Sequence, residues 1–416
     1  MTQRYDMVIV GAGMVGAALA CALADRGLRL AVLDAQPLDK PAGRHTASGY
    51  DPRVSALSAA SEAILRNVGA WQRLDPAAPC GYRHMRVWDA EGTGSISFDA
   101  EALGEPRLGH IVENYRVQQA LLDRLVETPV NLFAGRRLEG LVREPDSWRL
   151  VMADGERFEA PLVVAGDGAR SHVRELAGFP MREWDYLHHA IVTTVETAKP
   201  HRHTAWQRFL PSGPLAFLPL PDREGRHYCS IVWSAVPDFA AELMALDDQT
   251  FCQRLAGAFE YRLGEVLAAD PRHNIPLRQR HARSYAMEGL VLIGDAAHSI
   301  HPLAGQGVNL GLLDVAELVS VLDGAMQRGE RLAGLNVLQR YERGRMGANL
   351  GMMLAMEGFQ RLFHADSLTL RWLRNTGMRL LEGQGVVKNG IIRQAMGLSP
   401  SLPTLARHPD IVRQAS

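Results

Sequence analysis

The sequence predicts an α/β protein. A Rossmann-like nucleotide-binding domain is interrupted by an inserted mixed β-sheet and followed by a C-terminal helical region. A glycine fingerprint follows an apolar strand at the start of the chain, and two further apolar strands end in Gly/Asp turns. Between those two turns the pattern changes to short strands without intervening helices.

The first element is the run Asp6-Met7-Val8-Ile9-Val10, followed by Gly11-Ala12-Gly13-Met14-Val15-Gly16 and helix-compatible sequence from Ala17 to Arg26. It reads as strand, tight glycine turn and helix. A second strand, residues 28–33, ends in Asp34, eighteen residues after Gly16, where a dinucleotide fold places the acid that binds a ribose hydroxyl. Residues 7–24 also have a reading as a signal peptide or membrane span. The three glycines, the small side chains and the flanking Asp6 and Asp25 argue against it, because a span asks for about 20 strongly apolar residues.

The second Gly/Asp turn follows residues 160–164 and reads Ala165-Gly166-Asp167-Gly168-Ala169-Arg170-Ser171, with Ser171 placed to cap a helix. The third follows the apolar run 289–293. Gly294-Asp295 leads there into a stretch from Pro302 to Gly311 that is dense in glycine where a helix should begin. Glycines let a bulky ligand approach bare backbone, a helix N-terminus offers free N–H donors and partial positive charge, and Asp295 can accept from a ribityl or ribose hydroxyl. If the three strands share one parallel sheet, the three turns meet at its carboxyl edge, where ligands bind.

Composition narrows the class. The chain has 416 residues, 47% of them hydrophobic, and a net charge of −1, which describes a globular protein with more than one core and gives no reason to expect nucleic acid. No stretch beyond residues 7–24 approaches the length of a span, so a soluble, cytoplasmic protein is expected. Cys21, Cys80, Cys229 and Cys252 form neither a CxxC nor a paired framework and read as small core residues. The missing CxxxxC after the fingerprint removes the flavin disulfide reductases. Histidines sit close together at 188–189, 201 and 203, and 298 and 301, but no carboxylate or cysteine joins them at ligand spacing, so no metal site is expected. Ser299 near His298 lacks the context of an activated nucleophile.

Taken in order, the GxGxxG, the DG turn and the GD turn resemble those of the FAD-dependent aromatic hydroxylases related to p-hydroxybenzoate hydroxylase. The usual middle motif there is GADG, whereas this chain has Ala165-Gly166-Asp167-Gly168, with two small residues exchanged. Within that group the chain is most similar to the ubiquinone-biosynthesis hydroxylases, and the likeness covers nearly its whole length. It is carried by Asp51-Pro52-Arg53-Val54-Ser55-Ala56-Leu57-Ser58, by Gly109-His110-Ile111-Val112-Glu113-Asn114, by GDAAHSIHPLAGQGVNLG and by the tail from Trp372 to Leu398.

The resemblance implies an enzyme that binds FAD and hydroxylates the ring of a polyprenyl phenol or benzoquinol with dioxygen, at C5, through a flavin C4a-hydroperoxide. Hydroxylation at C6 or C1 is the alternative within the pathway, and a non-catalytic flavin-bound scaffold of a biosynthetic assembly is the alternative outside catalysis. The reductant is NAD(P)H, bound without a domain of its own. By position, Gly11, Ala12, Gly13, Met14, Val15 and Gly16 would pass under the pyrophosphate, and Asp34 would hold the adenosine ribose. Arg53 would reach the flavin, Asn114 or Gln118 would supply a polar contact, and Asp167 would shape the pyrophosphate side. Asp295 would bind the ribityl chain. Pro302, Gly305, Gln306, Gly307, Val308 and Asn309 would present backbone to the isoalloxazine. No catalytic base is named by the sequence.

Residues 1–79, 101–180 and 283–345 are expected to form the FAD-binding domain, 80–100 and 181–282 the substrate domain, and 346–416 the helical region. In the substrate domain, residues 189–196, 213–220 and 228–234 read as strands. Trp206 and Phe217 are candidates to line its cavity, with core packing the favoured reading. Residues 346–397 interleave large apolar groups with Arg361, Arg371, Arg374 and Arg379. That pattern fits a packed helical region, and alternatively peripheral contact with a membrane surface or a partner protein of the same pathway.

Overall fold

The computed structural model describes residues 2–37, 46–92, 94–299, 307–364, 390, 393, 396–398 and 402–408. Pro302, Gly305 and Gln306 lie outside the described residues, as does most of the basic segment beyond 364.

Continuous apolar runs with no polar face suit strands buried on both sides. Met7–Val10, Leu30–Leu33 and Leu162–Ala165 are each buried throughout. They form the middle of a six-stranded sheet ordered Ala286–Met287, Leu290–Leu292, Leu162–Ala165, Met7–Val10, Leu30–Leu33, Asn131–Phe133, parallel except for its first pair. Register sets the site. Ala165 pairs with both Val10 and Leu292, and Val10 pairs with Leu33, so the turns after all four strands leave side by side at one edge.

The helices are α1 (Met14–Leu23), α2 (Ala59–Asn67), α3 (Asn114–Val126), α4 (His172–Leu176), α5 (Pro237–Ala245), α6 (Asp248–Ala258), α7 (Gly307–Gln327) and α8 (Leu335–His364). α1 is buried from Gly16 to Leu23 and lies between α3 and α7, which explains its nearly all-apolar sequence. α8 buries Val337, Leu338, Tyr341 and Met353 while Leu354 on its other side is exposed, so this stretch of the C-terminal region is packed on one face.

The second large sheet is mixed. Its order is His298–Ser299, His273–Ala282, Met181–Thr197, His227–Ala235, Gly213–Pro219, Thr204–Leu210, His84–Asp89, Ser95–Asp99, with Val266–Ala269 also pairing with Met181–Thr197. Strand Thr204–Leu210 runs parallel to His84–Asp89 and antiparallel to Gly213–Pro219. Alternation assigns its two faces. Ile191, Phe217, Ile231 and Trp233 pack against Phe251, Leu255 and Phe259 of the α5–α6 side. Ala216, Leu218 and Tyr228, on the opposite face, meet Tyr50, Ala56 and Ile111 of the nucleotide-binding side.

Phe217 stacks on Phe259 with centroids 3.8 Å apart, and Trp206 meets the same ring edge-on, so both aromatics belong to the α5–α6 core. All four cysteines are free and buried, and burial pushes the thiols of Cys21 and Cys80 up to about 12, which makes them inert packing groups. Among the described residues no helix is long and apolar enough to cross a membrane.

Candidate functional site

A cleft of about 800 Å³ opens at the carboxyl edge of the six-stranded sheet. Gly11 and Gly13 form part of its floor, with Asp34 beside them and Gly166, Asp167 and Gly168 on the neighbouring turn. Arg53 and Gln118 close one side, and Arg136, Arg137 and Arg170 add further cationic lining.

The glycines divide by task. Gly11 has φ +103°, and a Cβ there would lie 2.4 Å from the Gly166 carbonyl oxygen, so it lets the first two turns touch. A Cβ on Gly16 would lie 2.0 Å from the Gly11 oxygen, so it lets α1 close on its own turn. Around Gly13 a Cβ would meet nothing within 4 Å. That open side belongs to the cleft, which is where a ligand pressed against backbone needs room.

Asp34 accepts the Ala12 N–H at 2.6 Å and the Gln36 N–H at 2.8 Å, which fixes its carboxylate at the cleft wall. Gln118 donates to the Ala12 carbonyl at 3.1 Å from the first turns of α3. Asn114 behaves differently. Its Oδ1 accepts from Ser55 at 2.6 Å, and Gln118 rather than Asn114 lines the cleft. The Arg53 side chain is exposed and pairs with no carboxylate among the described residues. Met14 and Val15 face away, with Val15 against Gly294 and Gly311, so the fingerprint turn and the third motif are packed together.

Asp167 takes the N–H groups of His172 and Val173 on one oxygen, while Ser171 accepts from Arg174 N–H, so α4 is doubly capped. Its other oxygen is buried without a hydrogen-bond partner among the described residues. Burial raises its pKa against the pull of those donors. Arg174, also buried, donates to the carbonyls of Ala169 at 3.0 Å and Ala296 at 2.9 Å and so ties the second turn to the third.

In the third motif Asp295 is an exposed residue at a 3-10 turn, its Oδ1 near Gly307. The protein around it raises its pKa, first by desolvation, with His298 opposing and Asp314 reinforcing. Gly307 and Val308 begin α7, a helix of 21 residues whose first N–H groups have no partner inside the helix itself. The Asn309 side chain accepts from Ser58 N–H and Ser61 Oγ and donates to the Ala56 carbonyl, which anchors α7 to α2 and the strand before it.

Beneath this motif lies a network of buried polar groups that no sequence motif marks. Asp314, completely buried, accepts from Gly294 N–H at 2.9 Å, His298 at 2.6 Å, Arg345 at 2.7 Å and Asn349 at 3.2 Å. Asn349 continues to Tyr285, whose hydroxyl lies 3.0 Å from His281 Nε2. Asp314 directly precedes an apolar helical run in the sequence, and Arg345 and Asn349 lie 31 and 35 residues further on, with no local motif to join the three.

A glycine-floored cleft at the carboxyl edge of a parallel sheet, with an acid for a ribose and cations beside it, defines a dinucleotide-binding protein. Comparison with known proteins names the class. Residues 4–353 match the family model described as FAD binding domain. The chain is 39% identical over 399 residues to 3-demethoxyubiquinol 3-hydroxylase of Escherichia coli, covering 95% of this chain and 99% of that one. It is 37% identical over 406 residues to ubiquinone hydroxylase UbiL of Rhodospirillum rubrum, covering 97% and 92%. Its fold is shared with p-nitrophenol 4-monooxygenase PnpA from Pseudomonas putida at a TM-score of 0.74, with 19% identity over 95% of this chain and 98% of that one. The protein belongs to the FAD-dependent monooxygenases of the ubiquinone-hydroxylase family.

Proposed function

We propose that this protein hydroxylates the aromatic ring of a polyprenyl phenol on the route to ubiquinone, at C5, using dioxygen and electrons from NAD(P)H. The observation that carries the reading is the cleft itself, because its chemistry fits FAD part by part. Gly13 leaves bare backbone for a pyrophosphate, and Asp34 has lone pairs left for a ribose. Among the described residues Arg53 brings a cation without a counter-ion, and Asp167 brings a buried oxygen without a donor. Asp295 and the N–H groups of Gly307 and Val308 are the groups that would take the ribityl chain and the flavin ring. When bound, FAD supplies oxygen activation; the chain supplies orientation, exclusion of water and preorganised donors at α7.

The substrate reading rests on the names of the two relatives and on the sheet face that carries Ala216, Leu218 and Val232 toward the nucleotide-binding side. In this reading residues 181–282 with 80–100 form the substrate domain. The protein works in the cytoplasm at the inner face of a membrane, where a polyprenyl substrate partitions, alongside other proteins of the pathway. Deleting the gene in its host and identifying the accumulated intermediate by mass spectrometry tests it. A polyprenyl phenol lacking the C5 hydroxyl is expected. An intermediate lacking the C6 or C1 hydroxyl overturns the ring position, and an unchanged quinone pool overturns the substrate class. Purified, FAD-loaded protein that oxidises NAD(P)H without forming hydroxylated product overturns the enzymatic role.

A further inference from the structure

From Ser48 to Arg53 the chain is fastened almost residue by residue, yet the side chain it delivers to the cleft has no partner among the described residues. Ser48 gives its N–H to Asp270 Oδ1 at 3.1 Å and its hydroxyl to Oδ2 of the same carboxylate. Arg223 donates to the carbonyls of Ser48 at 3.2 Å and Gly49 at 3.0 Å, and its guanidinium lies 3.7 Å from the centroid of the Tyr50 ring. The Tyr50 hydroxyl reaches the Pro221 carbonyl. On the other side Asp51 N–H donates to Glu113, Arg53 N–H to Asp51, and Asn114 N–H to the Arg53 carbonyl.

The two sets of anchors come from different sheets. Glu113 and Asn114 sit at the junction of strand Gly109–Glu113 and α3. Asp270 is held to the inserted sheet, giving its N–H to Thr194 and accepting Thr193 Oγ1 on its carbonyl, while Arg223 lies in the hairpin between Gly213–Pro219 and Val232's strand, His227–Ala235. Asp270 is 6% exposed and pairs with no cation among the described residues. A buried carboxylate answered only by the N–H and O–H of one serine makes that contact costly to lose. Gly49 is also required: its φ is +75°, and a Cβ would lie 2.5 Å from Arg223 Nη1.

We propose that Asp270 and Arg223 are positioning residues for Arg53, setting where its guanidinium stands in the cleft and so coupling the placement of the inserted sheet to cofactor binding. This rests on the reading that Arg53 contacts bound FAD. Asp270 touches neither cleft nor cofactor; it acts through the 48–53 segment.

A thermodynamic cycle on FAD affinity, measured by flavin fluorescence on apoprotein, separates positioning from general stabilisation. Asp270→Asn keeps the shape but turns one acceptor into a donor, and is expected to weaken FAD binding about tenfold and to alter the visible circular dichroism of bound flavin. Arg53→Ala is expected to weaken binding by at least as much. The double variant should bind no worse than Arg53→Ala alone, because the effect of Asp270 passes through that one side chain. Losses that simply add, or an Asp270→Asn variant with unchanged affinity, overturn the proposal. Arg53→Ala with unchanged affinity and spectrum instead removes the role of Arg53, and the proposal falls with it. Ser48→Ala provides the same arm from the loop side should Asp270→Asn fold poorly, with the same expected masking by Arg53→Ala.

Discussion

Nε2 of His298 stands 2.6 Å from Oδ2 of Asp314, and both side chains are shut off from solvent. The same carboxylate holds Gly294 N–H and the guanidinium of Arg345, so one buried charge joins the end of a strand, the Gly294–Ala296 turn and both long helices. Burial by itself would push the Asp314 carboxyl up. The imidazole of His298 and the guanidinium of Arg345 outweigh that and hold it well below the usual carboxylate range.

Removing that charge leaves Arg345 buried without its counter-ion. Asp314→Asn is therefore expected to destabilise the protein by about 3–5 kcal/mol, the usual cost of breaking a buried pair from one side. FAD affinity should fall with it, because Gly294 and α7 lose their common anchor. Thermal melts of apo and FAD-loaded protein check this. Melts indistinguishable from wild type in both states would remove Asp314 from the architecture of the site.

The fingerprint glycines predict opposite outcomes for the same substitution. Gly11→Ala forces a side chain into left-handed backbone and against the Gly166 carbonyl, so apoprotein stability should drop by about 3 kcal/mol. Gly13→Ala has φ −66° and open space, so the apoprotein should melt as wild type or slightly higher. Both should bind FAD poorly, Gly13→Ala purely because its methyl occupies the cleft. A Gly13→Ala protein that stays fully yellow would mean that the ligand does not approach this backbone.

Much of this was legible in the sequence because each motif is local. Strand, glycine turn and helix occupy about twenty consecutive residues, which makes Gly11, Gly13 and Gly16 recognisable together, and the Gly294-Asp295 turn stands just as locally after its own apolar run. The anchors were not legible for the converse reason. Asp314 meets Arg345 and Asn349 only because α7 and α8 pack side by side, and Ser48 meets Asp270 across 222 residues of chain. Asn114 and Gln118 both fitted the start of a polar helix, and the turn of α3 decides between them by giving Asn114 to Ser55.

Asp295 carries a carboxylate with no side-chain hydrogen bond among the described residues and with the Asp314 charge behind it. Nothing in the fold is lost when it goes. Asp295→Ala is expected to give an apoprotein at least as stable as wild type that purifies colourless, its FAD affinity reduced by more than about tenfold for the lost charged acceptor. Absorbance near the flavin bands against protein concentration is the measurement. A yellow, fully flavinylated variant would deny Asp295 a role in holding the cofactor.

His281 ties the same region to pH. It is buried beside His298 with its Nε2 on the Tyr285 hydroxyl, and desolvation, then the charges of His298 and Arg182, lower its pKa to about 4. In the unfolded chain the imidazole titrates near 6.5. Between those values the unfolded state binds the extra proton, so stability is whole above pH 6.5, declines as pH falls toward about 4, and loses nothing further from this group below that. His281→Gln removes the titration while keeping an amide within reach of Tyr285. The expected result is a flatter dependence of Tm on pH across that window, with His281→Gln gaining on the wild type as pH falls toward about 4. An unchanged slope would mean that another group governs acid stability here, and that His281 is protonated in the folded protein despite its burial.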